Sequence, residues 1–437
     1  MKKLSLLIWV SLVLPGSVFA VGSGGYNNDI ADARSLGNGM AVVARIDSPA
    51  CNWYNPACLT QTEGAQISLS GMYENVTGDF DSVFGLNIET EEGNYFIPSL
   101  FYSQNINEKL AYGIGVSSPY GLKTEWDNPI TDYVATMTEL KVILFNPNIA
   151  YTVNDQISIA FGLDVARADG TMKKKINETV LNSALYALST GILALLPSPD
   201  AESSLDGSDT GYGWNVALLY KINDKAKAGF SYRSPIEFSL DGKVAFSGLN
   251  GLTALVFGSA SYSVDASLDL PLPATVTAGI SYQISEKTSV EMDIELAQWS
   301  KLDQFKIDYN GETDLTRLLV LNLDNPVAKD WEDTWNTAIG IEHKIDETYA
   351  VAAGMRYRPT PVPEETFEIS IPSSDLFDIH GGVFISFESS KLDFSFSYVM
   401  GKARDIDNSV GYTSGTSING EHHLKALVLG MTYTYKF

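Results

Sequence analysis

The C-terminal segment 426–437 alternates between two kinds of side chain. Large apolar and aromatic residues occupy every second position, whereas smaller or polar residues such as Gly430, Thr432 and Thr434 stand between them. Successive side chains of a β-strand point to opposite faces, so the segment predicts a strand with one apolar face. This pattern is typical of a lipid-facing barrel wall. The large residues are Leu427, Leu429, Met431, Tyr433, Tyr435 and Phe437.

The same alternation recurs along the chain, for example in 157–165 and 392–400. In 290–296 the acids Glu291, Asp293 and Glu295 alternate with large aliphatic side chains. Acids in such positions are hard to bury in a soluble core, but they can face a watery lumen. Short turns alternate with long connections, and we count about fourteen strands, an even number as such barrels require. The predicted fold is therefore an all-β, transmembrane, antiparallel β-barrel.

Residues 1–20 have the pattern of a secretory signal peptide. Lys2 and Lys3 precede an apolar run over 4–14, and Val18-Phe-Ala20 provides a cleavage site. The remaining chain has no uncharged apolar run of about 18 residues, the length that a spanning helix needs. A closed barrel is the other structure that satisfies every backbone group in lipid. We therefore expect an integral protein of the outer membrane of a Gram-negative bacterium.

The charge of the chain excludes one class of partner. The formal net charge is −24, which gives no basic face for nucleic acid. Aromatic residues make up 11% of the sequence, which argues against disorder. We interpret the acidic excess as solvated loops and lumen.

An irregular segment, 47–58, lies between the signal and the first predicted strand. Pro49 and Pro56 disfavour helix in the residues before them, so Asn55-Pro56-Ala57 is predicted to form an ordered turn. A short irregular segment that leads into a barrel is where a plug would lie.

Cys51 and Cys58 flank this turn and are the only two cysteines of the chain. In an oxidising periplasm they could form one disulfide, which we favour, or remain free buried thiols. Two cysteines without nearby histidines do not provide the ligands of a zinc site. We predict no metal and no cofactor.

Two long external connections are unusually apolar. In 177–197, Asn177 is a predicted N-cap, Pro197 a predicted stop, and one helix face carries leucine and isoleucine. The second apolar stretch is 249–258. Two apolar external loops suggest a shared hydrophobic groove that captures a ligand. Alternatively, the loops pack on each other and seal the mouth of the barrel. The candidate capture residues are Leu181, Leu185, Leu188, Ile192, Leu195, Leu249, Leu252, Leu255 and Phe257.

A series of short motifs resembles the long-chain fatty-acid and hydrocarbon channels of the outer membrane, the FadL/TodX type. The resemblance covers nearly the whole mature chain. Its markers are Ala33–Gly39 with Asn55-Pro-Ala57, Ser118-Pro-Tyr-Gly121, Asn146–Tyr151, Tyr232-Arg-Ser-Pro235, Leu272-Pro273, Gln298-Trp-Ser300, Trp331–Thr334, Arg356-Tyr-Arg358 and Pro361-Val-Pro363.

The resemblance implies a fourteen-stranded barrel (61–437) plugged by an N-terminal hatch (21–60). External loops, here 172–209 and 248–260, would capture a hydrophobic molecule and pass it to a pocket inside the barrel. A change in the hatch, which contains the gating turn Asn55-Pro56-Ala57, together with a kink in the third strand near Pro119 and Gly121, would then release it sideways. The paired cysteines depart from the family pattern, and a disulfide there would stiffen the hatch turn.

The resemblance implies passive transport of hydrophobic molecules, long-chain fatty acids foremost, with aromatic or alkane hydrocarbons as the alternative. Arg233, Arg356 or Arg358 could bind a fatty-acid carboxylate, or could pair with lumenal acids such as Asp293 and Glu295. The expected surroundings are membrane lipid and lipopolysaccharide, with the protein acting as a monomer.

Two other functions fit the sequence less well. The sequence has no Gly-x-Ser-x-Gly elbow and no histidine pair in zinc spacing, which argues against an enzyme. A general porin or adhesin is the other alternative, but the apolar loops and hatch-like N-terminus argue against an open aqueous pore.

Overall fold

The structure is a computed structural model that describes residues 25–192 and 194–437. The predicted signal peptide (1–20) and the first residues of the predicted hatch (21–24) lie outside the described residues.

Fourteen long antiparallel strands form the wall, which confirms the predicted fold. Two of them are interrupted at proline: β7 at Pro235 and β8 at Pro273. The strands are β1 (Ala65–Ser82), β2 (Gly93–Asn105), β3 (Leu110–Glu125), β4 (Met137–Thr152), β5 (Ile157–Ile176), β6 (Ala201–Lys221), β7 (Ala226–Arg233 and Ile236–Ser247), β8 (Ser261–Leu272 and Ala274–Gln283), β9 (Thr288–Gln298), β10 (Thr334–Lys344), β11 (Tyr349–Arg358), β12 (Leu376–Ser386), β13 (Ser390–Gly401) and β14 (Gly420–Lys436).

The barrel closes because β14 pairs with β1 in register from Gln66↔Lys436 to Ser82↔Gly420. The alternation predicted for β14 matches its exposure: Met431 is 52% exposed, whereas the adjacent Thr432 is 1% exposed. The large side chains therefore face lipid and the small polar ones face inward.

The interior of the barrel has two halves of different polarity. In the outer half, inward residues such as Leu240, Leu268 and Leu270 belong to one large apolar cluster. In the inner half, near the short turns, buried positions carry polar side chains such as Asp164 and Asp293. The inward face of the strands is therefore apolar near the long loops, whereas near the short turns it mixes polar side chains with apolar ones such as Leu219 and Phe384.

The hatch lies inside the wall and contains α1 (Ala33–Gly37), α2 (Cys51–Tyr54) and a 3-10 helix (Pro56–Gln61). Among the described residues, three further α-helices lie in the long loops, α3 (Glu178–Thr190), α4 (Gly251–Phe257) and α5 (Leu315–Leu321), together with 3-10 turns at Trp299–Lys301 and Tyr412–Ser414. In the described part of the chain, none of these helices has the length and apolarity needed to cross a membrane.

The helix predicted for the first apolar loop begins as expected and ends early. The side chain of Asn177 accepts a hydrogen bond from the Val180 amide (3.1 Å), as an N-cap should. The helix stops at Gly191, whose φ of +73° ends it six residues before Pro197. The loop itself is also shorter than the predicted 172–209, because β5 and β6 pair as far as Ile176↔Ala201.

Five short strands complete the outer side in the described part of the chain. Asn87–Glu89 pairs with β1, Ile307–Asn310 with β8 and Arg404–Ile406 with β14, whereas Gln304–Phe305 and Val327–Ala328 pair with each other.

Candidate functional site

Two carboxylates of β9 hold the backbone of the hatch. Asp293 Oδ2 accepts hydrogen bonds from the amides of Val42 (2.7 Å) and Val43 (3.0 Å). Glu291 Oε1 accepts from the amide of Ala44 (2.6 Å). The alternation placed both acids on the lumen side, but sequence reasoning did not find that they bind hatch amides.

Glycines in the wall let the hatch approach closely. A Cβ on Gly340 of β10 would lie 2.0 Å from the carbonyl oxygen of Asn38. A Cβ on Gly354 of β11 would lie 2.5 Å from Gly39, which itself has a φ of +67°. The hatch segment from Asn38 to Met40 therefore packs directly against the backbone of the wall strands at these glycines.

The Asn-Pro-Ala turn connects three parts of the structure. Asn55 is fully buried, and its Nδ2 donates to the carbonyls of Val43 (2.6 Å) and Leu218 on β6 (3.2 Å). Its Oδ1 accepts from the amide of Ala57 (3.1 Å), so it caps the 3-10 helix that starts at Pro56. One side chain thus joins the turn, the hatch loop and the wall.

The structure does not contain the predicted disulfide. Cys51 and Cys58 are both buried free thiols, with Cys51 at the start of α2 and Cys58 on the 3-10 helix. Cys58 Sγ is directed at the carbonyl of Val43 (3.9 Å). Burial raises the pKa of Cys58 to about 12 and raises that of Cys51 well above its usual value. The prediction is therefore wrong for this structure, because the helical turns direct the thiols into packed surroundings.

The three candidate arginines are each paired with an acid. Arg356 forms a bidentate pair with Asp29 of the hatch (2.9 and 2.5 Å), and Arg358 pairs with Asp378 (2.7 Å). Although burial acts to raise the pKa of Asp29, the charge and hydrogen bonds of Arg356 hold it below its usual value.

Arg233 pairs with Asp164, donates to the carbonyl of Trp53 (3.2 Å) and lies over the Trp53 ring. Arg233 and Arg356 line a central cavity of about 60 Å³ between the wall and the hatch, and Arg358 does not. A ligand carboxylate there would have to displace Asp164 or Asp29.

The third strand, β3, is broken at the predicted position. Ser117 pairs with Leu144 and Tyr120 with Val142, so Ser118 and Pro119 together face one residue of β4. One extra residue reverses the side-chain faces beyond it. Inward residues are accordingly odd-numbered up to Ser117 and even-numbered from Tyr120 onward.

Hatch residues complete the broken strand. The amide of Asn28 donates to the carbonyl of Pro119 (2.7 Å), and the amide of Gly121 donates to that of Tyr26 (2.9 Å). The ladder between β2 and β3 ends at Leu100↔Val116, among the described residues. Beyond that pair, β3 stays bonded to β4, but on the side of β2 its Pro119 and Gly121 bond to the hatch.

An apolar cavity of about 40 Å³ lies in the outer half of the barrel. Its lining comes from the strands β3 to β8, from Tyr26 of the hatch and from external loops. The apolar members are Tyr26, Leu122, Leu140, Met172, Leu205, Leu240, Leu268, Leu270, Phe305 and Ile371. Sequence reasoning did not identify these residues, because alternation shows that a side chain faces inward but not at which height.

The candidate capture residues divide into two groups. Leu249, just before α4, and Phe257, its last residue, are buried. Leu181, Leu185 and Leu252 are half-buried. Leu188, Ile192, Leu195 and Leu255 are exposed, with Leu255 at 76%. The first two sets of residues therefore pack within the loops, and only the exposed residues are accessible for contact with a ligand.

A polar network fixes α3 to α4. Asn182 Nδ2 and Thr253 Oγ1 both donate to Glu178 Oε2, and the Thr253 amide donates to Asn182 Oδ1 (3.0 Å). These three side chains are buried, so the pair of helices forms a rigid unit beneath the exposed leucines.

A third apolar helix, α5, was missed from the sequence. Asp314 caps it by accepting from the amides of Thr316 and Arg317, and Leu321 packs with Leu249 and Phe257. Its outer face carries Leu315, 82% exposed, and Leu319. Seven residues are too few for the periodicity to stand out, although Asp314 followed by leucines was a visible signal.

Several known proteins are similar to this chain. Its relatives include the long-chain fatty acid transport protein of Escherichia coli O6:H1, 25% identical over 95% of each chain. Outer membrane protein P1 of Haemophilus influenzae is 23% identical over 93% of this chain and 94% of its own. Both are outer-membrane proteins of Gram-negative bacteria.

Solved structures share the fold. A Pseudomonas aeruginosa FadL homologue matches with a TM-score of 0.81 at 19% identity, over 94% of this chain and all of its own. The Pseudomonas putida toluene transporter TodX matches with a TM-score of 0.69 at 18% identity, over 95% and 99%.

The family model described as outer membrane protein transport protein (OMPP1/FadL/TodX) matches residues 16–437. Members of this family are transporters rather than enzymes. The match covers the hatch, the broken third strand and the whole wall described above. This chain therefore belongs to the OMPP1/FadL/TodX family of outer-membrane transport proteins.

Proposed function

We propose that this protein carries hydrophobic molecules, long-chain fatty acids foremost, passively across the outer membrane. The observation that carries the proposal is the apolar cavity inside the outer half of the barrel. The lumen of an aqueous porin is polar and filled with water, so such a cavity fits a hydrophobic molecule instead. The exposed leucines of α3, α4 and α5 provide a place for first contact. The names of the curated relatives favour fatty acids over hydrocarbons.

The route has three steps. A hydrophobic molecule binds first to the exposed outer faces of α3 to α5, then enters the apolar cavity. The hatch blocks further passage, because Val42, Val43 and Ala44 are tied to β9. Movement of the Asn55–Ala57 turn and of the hatch residues bonded to Pro119 and Gly121 opens the way out. The wall closes within one chain, so we propose that a monomer suffices.

Uptake of labelled oleate tests this proposal in cells that lack their own fatty-acid channel. We expect uptake with the parent chain, loss of uptake with Asn55→Ala combined with Pro56→Ala, and a reduction of about tenfold with Leu270→Asn. An unpaired amide in the apolar cavity weakens alkyl binding, and 1.4 kcal/mol is a tenfold change in affinity.

Heat-modifiable mobility on gels shows that each variant still forms a barrel. A parent that inserts but takes up no oleate would reject fatty acids as substrates. Uptake of toluene by the same cells would then support the hydrocarbon alternative. A large, steady single-channel conductance would instead favour a general porin.

A further inference from the structure

The wall has a second break, which lies between β6 and β7. The ladder of these two strands stops at Ser208↔Asp241 and resumes at Asn215↔Arg233. Six residues of β6 lie in this gap, whereas β7 has seven, one of which is Pro235. The extra residue makes the gap a bulge, as in β3, and proline has no amide to donate to the neighbouring strand.

Side chains bridge part of this gap in place of backbone carbonyls. The amide of Ser239 donates to Asp209 Oδ2 (2.9 Å), and the amide of Trp214 donates to Ser234 Oγ (2.9 Å). At the inner end of the gap, the amide of Ser234 donates to the carbonyl of Trp214 (2.8 Å). Local side chains, rather than hatch residues, thus supply bonds across this break.

The gap lies at the level of the outer half of the membrane. β6 ends at a short turn after Lys221. With a rise of about 3.3 Å per residue and a tilt of roughly 40°, Trp214 lies about 18 Å and Asp209 about 30 Å above that turn. The apolar band of such a barrel is about 25 Å tall and ends in a girdle of aromatic residues. Trp214 and Tyr212, both exposed, fit the outer girdle.

The wall beside the gap lacks side chains. Gly170 of β5, Gly207 of β6 and Gly242 of β7 form one row across three strands, because Gly170 pairs with Gly207 and Gly207 with Gly242. All three positions belong to the inward face of their strands. Gly170 and Gly207 also line the apolar cavity, so this part of the cavity lining is bare backbone.

Two aliphatic side chains of β7 cover the glycines of β6 from inside. A Cβ on Gly207 would lie 3.3 Å from Leu240 Cβ. Cβ atoms on Gly211 and Gly213 would lie 2.5 and 2.9 Å from side-chain carbons of Ile236. Leu240 and Ile236 are both buried. The inner seal of the gap therefore includes two side chains that can change rotamer, where the rest of the wall has a continuous ladder.

We propose that this gap is a lateral port through which a hydrophobic molecule dissolved in the outer leaflet enters the apolar cavity. The molecule passes between β6 and β7 when Leu240 and Ile236 rotate away from the glycines. Apolar solutes concentrate in membrane hydrocarbon, because their transfer out of water is favourable. The port thus goes beyond the proposed function, in which cargo arrives from the medium, and it is distinct from the break in β3 that hatch residues close.

The test uses the full-length protein in phosphatidylcholine vesicles, with a photoactivatable alkane dissolved in the bilayer. Illumination attaches the alkane to nearby side chains. Mass spectrometry then measures the labelling of Leu268 and Leu270, which line the cavity from β8. Met292, a residue exposed on the lipid side of β9, provides the normalisation. We expect labelling of the two cavity leucines above that of a sample kept in the dark.

A disulfide across the gap tests the route of entry. A Cβ on Gly213 would lie 2.9 Å from Ser234 Oγ, which suits a bond between Gly213→Cys and Ser234→Cys. We expect this variant to lose cavity labelling when oxidised and to regain it after reduction. The matched control joins Val165→Cys to Tyr212→Cys, which pair at the same height between β5 and β6, and it should keep the labelling. The native thiols are buried, so oxidation falls on the new pairs.

A second variant keeps the proposal testable if the disulfide variant does not assemble. Leu240→Ala uncovers Gly207, so cavity labelling should be faster at short illumination. Leu376→Ala shortens a buried leucine outside the cavity lining and should leave the labelling rate unchanged.

Undiminished labelling in the oxidised disulfide variant, or a parental rate in Leu240→Ala, would overturn the port. Labelling that fell equally in the disulfide variant and in its matched control would overturn it too, because any cross-link would then have the same effect. Since labelling in vesicles requires no transport, these results are distinct from a failure of oleate uptake, which tests the proposed function.

Discussion

Asp293 Oδ2 of β9 lies 2.7 Å from the backbone nitrogen of Val42, so the wall binds the main chain of the hatch. Val42 lines both the central cavity and a second cavity of about 200 Å³ on the side of the short turns, so this bond holds the partition between two cavities. Because the donor is a main-chain amide, any residue except proline at position 42 can form it.

Replacing Asp293 by alanine is expected to loosen this partition. Two buried amides would lose their acceptor, at about 1–3 kcal/mol for each unsatisfied group. Ion leak through planar bilayers should rise above that of the parent. Glu295→Ala is the matched control, because Glu295 accepts from Thr277 and Asn336 of the wall. A leak equal to that of the parent would contradict the partition role of Asp293.

Deleting Ser118 is expected to close the break in β3. Ser117 and Pro119 would then face Leu144 and Ile143 in continuous register with β4. The strand should regain its place in the wall, and oleate uptake should fall while the protein still assembles. Deleting one residue from the exposed turn 83–86 provides a control for the deletion itself. Undiminished uptake by the Ser118 deletion would show that the break is not on the transport route.

Serine at both Leu315 and Leu319 is expected to weaken capture by α5. The two side chains are exposed, so the free energy of unfolding should change by less than about 0.5 kcal/mol. Half-saturation of oleate uptake should move to higher concentration at an unchanged maximal rate. Phe84→Ser, which removes an exposed aromatic side chain elsewhere on the outer side, should have no such effect. A changed maximal rate would point to a structural role for α5 instead.

Neither cysteine is expected to react with a water-soluble maleimide in the folded protein at neutral pH. Both thiols are buried, and burial raises the pKa of each, so the nucleophilic thiolate is scarce. Both should react after unfolding without reductant, as counted by mass spectrometry. Reaction only after reduction would show that the thiols are joined in the protein as isolated, in contrast to this structure.

The wall was predictable from sequence because lipid on one side and the lumen on the other impose a strict alternation. Met431 and Thr432 show that alternation directly. The break near Pro119 was expected from the family resemblance rather than from proline alone, since Pro98 lies within an unbroken β2. The N-cap at Asn177 followed from local chemistry alone.

The interior was much less predictable. The bond from Asp293 to Val42 joins positions 251 residues apart, and nothing local in the sequence encodes it. The disulfide prediction failed for a related reason, because spacing along the chain does not show where Cys51 and Cys58 are directed once their helical turns pack. The helix α5 was too short to display its apolar face as a pattern.

The two-sided polarity of the lumen gives a passing molecule an orientation as well as a path. An alkyl chain would be stabilised by the apolar outer half, which includes Leu240 and Leu270, whereas its charged end would be stabilised by the polar residues nearer the hatch. A fatty acid would thus enter with its charged end toward the hatch, whereas toluene, with no charged end, would have no preferred direction.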